Sequence, residues 1–212
     1  GKPVLTKANS GGTLHLAPAL SPNGKLIAYL SERNFFFIDF YLANGETGEV
    51  LSKLAKSVFD ANYETFRYYS SAASWSPDGK YLVFAARAQG GDDIVVFDPK
   101  KRKAIRRIRV ELSGVTSPVF SPDGKQLAFT GMEGGLSDLY VINADGTGLQ
   151  QVTRDKYAQL MPAWSPDGHT IAYVTDEGPG TNFTDLSYGN FRIALFDLDL
   201  GSRELLPHME VG

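Results

Sequence analysis

The chain has 212 residues, of which 42% are hydrophobic and 21% charged, and its formal net charge at pH 7 is -3. This composition is typical of a globular protein, and the slight negative charge gives no general attraction to nucleic acid or to an anionic membrane. The absence of cysteine excludes disulfides, thiolate metal sites and a cysteine nucleophile. The sequence contains no apolar run long enough to span a membrane, and no signal segment opens it.

A short turn motif recurs four times along the chain. It reads SPNGK at 21–25, SPDGK at 76–80 and 121–125, and SPDGH at 165–169, with spacings of 55, 45 and 44 residues. In such a turn Pro presets φ, Ser and Asp bond nearby backbone amides, and Gly accepts a positive φ. Every residue of the motif has a structural reason to be present, and we therefore interpret it as a turn rather than as a metal or phosphate site.

Each turn lies between the first and second of four short apolar runs. In chain order the runs are HLAPAL, LIAYLS, FIDFYLA and EVLSKL, then SAASW, YLVFAA, DIVVFD and AIRRIRV, then TSPVF, QLAFTG, DLYVIN and LQQVT, and finally LMPAW, TIAYVT, RIALFD and RELLP. Short runs rich in β-branched and aromatic residues, bounded by Gly, Pro, Asp and Asn, are typical of antiparallel strands joined by turns.

Four strands in every repeat of about 40–45 residues predict an all-β fold, a β-propeller of four-stranded antiparallel blades that bury one another's faces. We place four blades at 13–56, 70–113, 114–155 and 158–207 of a single domain, and we expect residues 3–6 to be a strand of a preceding or closing blade. A β-sandwich is the less favoured alternative, because it gives no reason for the same turn to recur in every repeat.

The repeat is similar to that of TolB-type β-propellers. The resemblance rests on PAWSPDG with IAYVT, on DLYVIN and on DGTGLQQVT; all four repeats share the pattern, and the first departs from it at Leu20 and Asn23. It implies a non-enzymatic protein-binding or assembly module that needs no cofactor, in an exported, periplasmic setting, with an envelope or membrane-bound protein partner or a place as an extrinsic subunit of a membrane complex. Such propellers normally have more blades, so we expect either a small closed ring or part of a longer protein.

In a four-stranded meander, the turn motif and the third-to-fourth hairpin lie at one edge, and the second-to-third loop and the links between blades lie at the other. Insertions enlarge the second edge at 57–71 and 176–190. Function is carried more often by such loops than by regular turns, and aromatic residues and Arg are enriched in protein interfaces. The predicted partner-binding residues are Phe59, Tyr63, Phe66, Arg67, Tyr68, Tyr69, Asn182, Phe183, Asp185 and Tyr188.

Three features have two interpretations each. The aromatic residues of the insertions can also fold inward and pack on a blade. The aromatic stretch 34–43 is interpreted as a buried strand rather than as a surface that stacks nucleic-acid bases, and we predict no nucleic-acid partner. A run of cations either protects an edge strand from aggregation or docks electrostatically on an acidic partner or lipid headgroups. This run is Lys100, Lys101, Arg102 and Lys103.

The sequence carries no recognisable catalytic motif. It has no GxSxG, no HExxH and no phosphate-binding loop, and its three histidines lie in unrelated contexts. We therefore predict neither catalytic residues nor metal ligands. The alternative function is a propeller domain of a larger serine or metallopeptidase, with catalytic residues outside these 212. A weaker alternative is a lyase or carbohydrate-binding propeller that uses its channel, for which His15 is the only candidate residue.

Overall fold

The computed structural model describes residues 3–33, 38–55, 65–66, 73–88, 90–185 and 187–211. In these ranges one short helix, α1 (Lys7–Ser10), precedes seventeen strands. They belong to two compact units, 1–111 and 112–212, and each unit contains two antiparallel sheets, which we call blades and number in chain order. No helix in the described ranges is both long and apolar enough to cross a membrane.

Unit 1 contains blades 1 and 2. Blade 1 is a meander of four strands: β1 (His15–Leu20), β2 (Leu26–Ser31), β3 (Asp39–Asn44) and β4 (Val50–Ala55). In blade 2 two short strands pair with one neighbour in place of a single first strand. Its strands are β5 (Thr65–Phe66), β6 (Ser74–Trp75), β7 (Leu82–Ala88), β8 (Gly91–Asp98) and β9 (Lys103–Arg109).

Unit 2 contains blades 3 and 4, which are again four-stranded meanders. Blade 3 consists of β10 (Gly114–Phe120), β11 (Gln126–Glu133), β12 (Leu136–Asn143) and β13 (Gln150–Gln151). Blade 4 consists of β14 (Gln159–Trp164), β15 (Thr170–Thr175), β16 (Phe191–Asp197) and β17 (Ser202–Val211).

The predicted four-stranded antiparallel blades are confirmed, but the structure shifts several boundaries. Residues 3–6, predicted as a strand, form none and lead into α1. Val4 and Leu5 instead pack against the buried residues of one face of blade 1. Blade 2 begins earlier than predicted, at β5, and β17 continues to Val211, beyond the predicted end of blade 4.

The repeated turn motif joins the first two strands of each blade by the same hydrogen bonds. In blade 3 Gly124 N donates to Ser121 O at 2.9 Å, Gln126 N donates to Ser121 Oγ at 2.9 Å, and Ser121 Oγ donates to Asp123 Oδ1 at 2.7 Å. Gly124 has a φ of 72°, a backbone conformation that glycine adopts without strain. The motif's polar groups are thus used within the turn.

The central strands of neighbouring blades pack face to face within each unit. In unit 1 the cluster joins Ala28, Leu30, Phe40 and Leu42 of blade 1 to Leu82, Phe84, Val95 and Phe97 of blade 2. In unit 2 it joins Ala128, Leu139 and Val141 of blade 3 to Ile171, Tyr173 and Ala194 of blade 4. The described part of the aromatic stretch 34–43 lies in the core as predicted, since Phe40 and Tyr41 are both buried.

Three blades carry a β-bulge at the same place in their first strand. Ala17, Ser117 and Met161 have φ values of 49°, 53° and 52°. Each precedes a proline and interrupts the regular pairing with the second strand. A residue other than glycine in this left-handed region is strained by about 1–3 kcal/mol, and the fold therefore accepts a strained backbone at this repeated position.

Contacts between connections show which of them share an edge of a blade. Ala144 N donates to Lys125 O at 2.7 Å, so the turn motif and the third-to-fourth hairpin of blade 3 lie side by side. At the other edge of blade 4, Ala158 N in the link that precedes the blade donates to Asp176 Oδ1, which follows the second strand, at 2.7 Å. We call the edge with the turn motif and the third-to-fourth hairpin the turn edge. The edge with the links between blades and the second-to-third loops is the loop edge.

Candidate functional site

The predicted binding residues of the second insertion lie together on the loop edge of blade 4. Asn182, Phe183, Asp185 and Tyr188 all belong to the loop that joins β15 and β16. From the first insertion, the backbone of Phe66 belongs to β5 and pairs with Ala86. Phe59, Tyr63, Arg67, Tyr68 and Tyr69 lie outside the described residues.

Hydrogen bonds within the loop 176–190 give it a defined conformation. Asn182 and Ser187 exchange backbone hydrogen bonds of 2.8 and 3.0 Å, and Ser187 Oγ donates to Asp185 Oδ1 at 2.8 Å. Hydrogen bonds from Ser187 also lower the pKa of Asp185. Gly180 lies against the other arm of the loop, because a Cβ on it would come within 2.9 Å of Gly189 Cα. The two arms can approach this closely only without side chains.

Aromatic residues connect this loop to the link that precedes blade 4. The ring centroid of Phe183 lies 5.7 Å from that of Tyr157 and 6.4 Å from that of Tyr188. Lys156 Nζ lies 5.2 Å from the Phe183 centroid and 5.3 Å from the Tyr157 centroid, and such contacts contribute about 0.5–1 kcal/mol at exposed sites. Phe183 is therefore a packing residue, whereas Tyr188 remains 64% exposed.

A charged network fixes the link and the loop to the outermost strand. Arg203 of β17 donates to Asp155 in the link and, at 2.8 Å, to Glu177 Oε1 in the loop. Burial would lower the pKa of Arg203, but the carboxylates of Glu177 and Asp155 outweigh it and raise the pKa. The loop that carries the exposed Tyr188 side chain is thus held in place by hydrogen bonds to β17.

Three blades place a buried aspartate at the same position of the third strand. Asp39, Asp93 and Asp138 occupy equivalent places in the registers of β3, β8 and β12, and all three are buried. Lys53 Nζ lies 2.6 Å from Asp39 Oδ2, and Arg109 Nε bonds Asp93 Oδ1. A buried carboxylate needs such partners, because isolated charge is costly away from water.

Blade 3 uses neutral partners for the same purpose. Gln151 Nε2 donates to Asp138 Oδ2 at 3.0 Å, and Thr153 Oγ1 lies within hydrogen-bond distance of Asp138 Oδ1 at 3.2 Å. Burial raises the pKa of Asp138, since no cation on the fourth strand compensates its charge among these contacts. The aspartate of the third strand thus has a cationic partner in blades 1 and 2 and neutral partners in blade 3. In all three blades its carboxylate is hydrogen-bonded.

Blade 4 has an arginine at the equivalent position. Arg192 pairs with Thr175 in the register of β15 and β16, as Asp138 pairs with Gly131 in blade 3. It lines an open groove of about 320 Å³. The complete lining is Gly178, Pro179, Gly180, Tyr188, Gly189, Asn190 and Arg192. Arg192 was not among the residues predicted from the sequence, although an alignment of the four third strands shows an arginine where the other three have aspartate.

On blade 1 the loop edge is held by a carboxylate. Glu32 Oε1 accepts hydrogen bonds from Thr13 N and Thr13 Oγ1, both at 2.6 Å, and from Leu14 N at 2.8 Å. Burial would raise the pKa of Glu32, but these bonds outweigh it and lower the pKa to about 2. Glu32, which follows β2, therefore holds the two residues that precede β1.

His15, the candidate for a channel function, is part of this attachment. Ser10 Oγ donates to Thr6 O at 2.6 Å and lies 2.5 Å from His15 Nε2. The contacts of Ser10 Oγ with Thr6 and His15 connect α1 to the start of β1. In the described ranges no group of three or more His, Asp or Glu could hold a metal ion.

The predicted cationic patch lies at the turn edge of blade 2, in the hairpin between β8 and β9. Asp98 Oδ1 accepts the backbone N–H groups of Lys100 and Lys101, both at 2.9 Å. Lys101 Nζ also lies 3.5 Å from Asp98 Oδ2, and Arg102 adopts a positive φ of 51°. The hairpin is thus organised around Asp98, which balances part of its positive charge.

These four-stranded antiparallel blades define a β-propeller protein. A model of the family described as the TolB beta propeller domain matches residues 6–210. The chain belongs to this family, and the resemblance inferred from its turn motif and strands is confirmed.

Relatives from several bacteria carry the same repeat. A protein named Protein TolB homolog from Chlorobium luteolum is 28% identical over 180 residues, which are 84% of this chain and 35% of that protein. The Uncharacterized peptidase YuxL of Bacillus subtilis is 37% identical over 156 residues, 74% of this chain and 21% of that protein. Other relatives carry the name Tol-Pal system protein TolB. The matches thus span about a third or less of these relatives.

The fold is shared with TolB proteins of known structure. The crystal structure of TolB from Acinetobacter baumannii superposes with a TM-score of 0.72 at 26% sequence identity, and the match covers 94% of this chain and 44% of that one. The family model and this structural match therefore agree on a TolB-type propeller.

Proposed function

We propose that the chain is a non-enzymatic protein-binding module of the bacterial cell envelope and that its partner docks on the loop edge of the blades. The observation that carries this proposal is Tyr188. Its ring is largely exposed on a loop that the Arg203 network holds in place. Rigid, exposed aromatic residues are frequent anchors of protein interfaces.

The relatives support the envelope setting. Several are named as proteins of the Tol-Pal system, and this shared family supports an exported, periplasmic module that acts by assembly with other proteins. In this proposal the chain serves as an extrinsic component that meets envelope or membrane-bound partners through its loops.

The aromatic residues of the first insertion belong to the same proposal. They are predicted from the sequence to extend the loop-edge surface in unit 1, and they are Phe59, Tyr63, Phe66, Arg67, Tyr68 and Tyr69. Asn182 and Asp185 contribute the polar rim of the loop in blade 4. The hairpin of Lys100, Lys101, Arg102 and Lys103 supplies a separate electrostatic contact, which salt would weaken.

Photo-crosslinking from the two edges of one blade tests the proposal. Tyr188 on the loop edge and Leu200 on the turn edge, which are 64% and 78% exposed, are replaced one at a time by p-benzoylphenylalanine. Each variant is irradiated with a bacterial envelope fraction that contains the Tol-Pal proteins, and the adducts are identified by mass spectrometry. We expect a discrete protein adduct at position 188 and none at 200. Adducts only at 200, or none at either position, would refute docking on the loop edge.

The second candidate function is a propeller domain of a larger peptidase. The observation that favours it is the 37% identity to the Uncharacterized peptidase YuxL. An activity-based fluorophosphonate probe applied to the full-length gene product discriminates the two. Covalent labelling of a serine in that product would support the peptidase function over the assembly function. The propeller fold would be the same in both cases.

A further inference from the structure

We propose that the groove of blade 4 binds an extended segment of the partner protein through an internal Glu or Asp side chain, whose carboxylate pairs with Arg192 while a neighbouring apolar residue packs on Tyr188. This inference rests on the proposed function, because it names the chemistry that the partner presents to the loop edge. The groove is the one described above, with a volume of about 320 Å³.

Blade 4 reverses the charge that the other three blades carry at this position of the third strand. The equivalent residues of the other blades are buried carboxylates whose bonds are made inside the blade, as with Asp39 and Lys53. Arg192 instead lines a surface groove. The other three blades have a carboxylate at this position, whereas blade 4 has a cation at the surface. Such a cation is suited to an external carboxylate.

The backbone of Arg192 belongs to the sheet, but its guanidinium has no bonding partner among the described side chains. The nearby carboxylates are engaged by other groups: Glu177 Oε1 by Arg203, Asp185 by Ser187, and Asp176 by the backbone of Ala158. Glu210 is the register partner of Arg192 on β17. Among the side chains that the structure describes, none forms a hydrogen bond or ion pair with the Arg192 guanidinium.

The size and wall chemistry of the groove suit a short extended segment. Ligand sites usually measure about 300–1,000 Å³, so a groove near the lower limit accommodates one or two residues rather than a domain. Gly178, Gly180 and Gly189 form much of its lining, so this part of the wall is backbone with peptide groups that an extended segment can approach. Tyr188 offers an exposed ring beside them. An acidic residue next to an apolar one matches this arrangement.

Synthetic peptides test the inference without the natural partner. The probes are acetyl-Gly-Phe-Glu-Gly-amide, its Gln counterpart, and acetyl-Gly-Phe-Gly with a free C-terminal carboxylate. Each is titrated into the purified chain and followed by NMR at the Arg192 Nε–H. We expect the Glu peptide to bind about tenfold more tightly than the Gln peptide, the effect of one charge-assisted pair. Equal binding of the two, or tighter binding of the free C-terminal carboxylate, would overturn the proposal.

Variants locate the effect on the groove. Arg192→Gln should remove the preference for Glu over Gln, Arg192→Lys should retain part of it, and Tyr188→Ala should weaken all the peptides alike. Arg154→Gln is the matched control, because it removes the same charge from an exposed arginine of unit 2 that bonds Gln151. If Arg154→Gln abolishes the preference as well, net charge rather than the groove is responsible. Melting temperatures establish that each variant is folded.

The peptide and crosslinking results separate the two proposals. An adduct at position 188 without a Glu preference would retain the docking edge and refute the acidic ligand. A Glu preference without any adduct would retain the groove and refute the envelope partner.

Discussion

Among single residues, Glu32 joins the residues that precede blade 1 to the end of β2. Its carboxylate accepts three hydrogen bonds from Thr13 and Leu14. Hydrogen bonds to a charged group contribute about 1.5–3 kcal/mol, and solvent exposure reduces this to about 1 kcal/mol here. Glu32→Gln should therefore lower the melting temperature at pH 7 by about 2–4 °C.

The pH dependence of this difference follows from the pKa of Glu32. The hydrogen bonds lower it from 4.5 to about 2 in the folded chain, so the stabilisation is complete above pH 4.5 and is lost as the pH falls from 4.5 to 2. Urea unfolding of both forms at pH 7, 4 and 2.5 measures the loss. Glu46→Gln, in an exposed turn, is the control. A Glu32→Gln difference that stays constant down to pH 2.5 would contradict the assigned role.

Some residues of the loop edge were predicted from the sequence, and others were missed for physical reasons. Asn182, Phe183, Asp185 and Tyr188 were predicted as partner-binding residues because they cluster in an insertion. The same pattern could not tell that Phe183 packs on Tyr157 while Tyr188 remains exposed, since that depends on contacts 26 residues apart in the chain. Likewise, nothing near Glu32 in the sequence indicates its bonds to Thr13.

At the scale of elements, the bulged first strand shows where the fold tolerates strain. Met161 has a φ of 52° and is 60% exposed, so its side chain contributes little packing. Met161→Gly removes a left-handed strain of about 1–2 kcal/mol, partly offset by the flexibility of glycine in the unfolded chain. We expect a net gain of up to about 1 kcal/mol.

A β-branched residue at the same site should have the opposite effect. Met161→Val places a side chain that is rarely found at positive φ on this bulge, and its loss of stability should exceed about 1 kcal/mol. Urea unfolding midpoints compare the two variants with the parent chain. If both substitutions change the midpoint equally, packing rather than backbone strain determines the preference at Met161.

Elements bounded by the turn motif were predictable, whereas the start of blade 2 after the first insertion was not. The motif's hydrogen bonds are local, as between Ser121 and Asp123, so its sequence alone defines the turn. The start of blade 2 is different, because β5 pairs with Arg87 and Ala86, which lie about twenty residues further along the chain. Residues 3–6 were expected to pair as a strand because they match a closing strand in pattern, but Val4 and Leu5 pack by their side chains instead.

At the scale of the whole molecule, one apolar face of blade 4 is only half-buried among the described residues of unit 2. The registers make Ala172, Ile193 and Leu195 of blade 4 equivalent to Ala128, Leu139 and Val141 of blade 3. The blade 3 set is buried against blade 4, whereas the blade 4 set is only half-buried. Phe191 extends the same face and is exposed. An apolar sheet face of this kind favours association.

Matched lysine substitutions in the two blades measure how far this face is covered in solution. Leu139 is 1% exposed, so Leu139→Lys buries an uncompensated charge and should cost about 3–5 kcal/mol. Ile193→Lys can extend its ammonium group into water along the half-buried face, and we expect it to cost at most about 1 kcal/mol and to reduce self-association in sedimentation velocity. Equal losses of stability in the two variants would show instead that a second surface already covers blade 4 in solution.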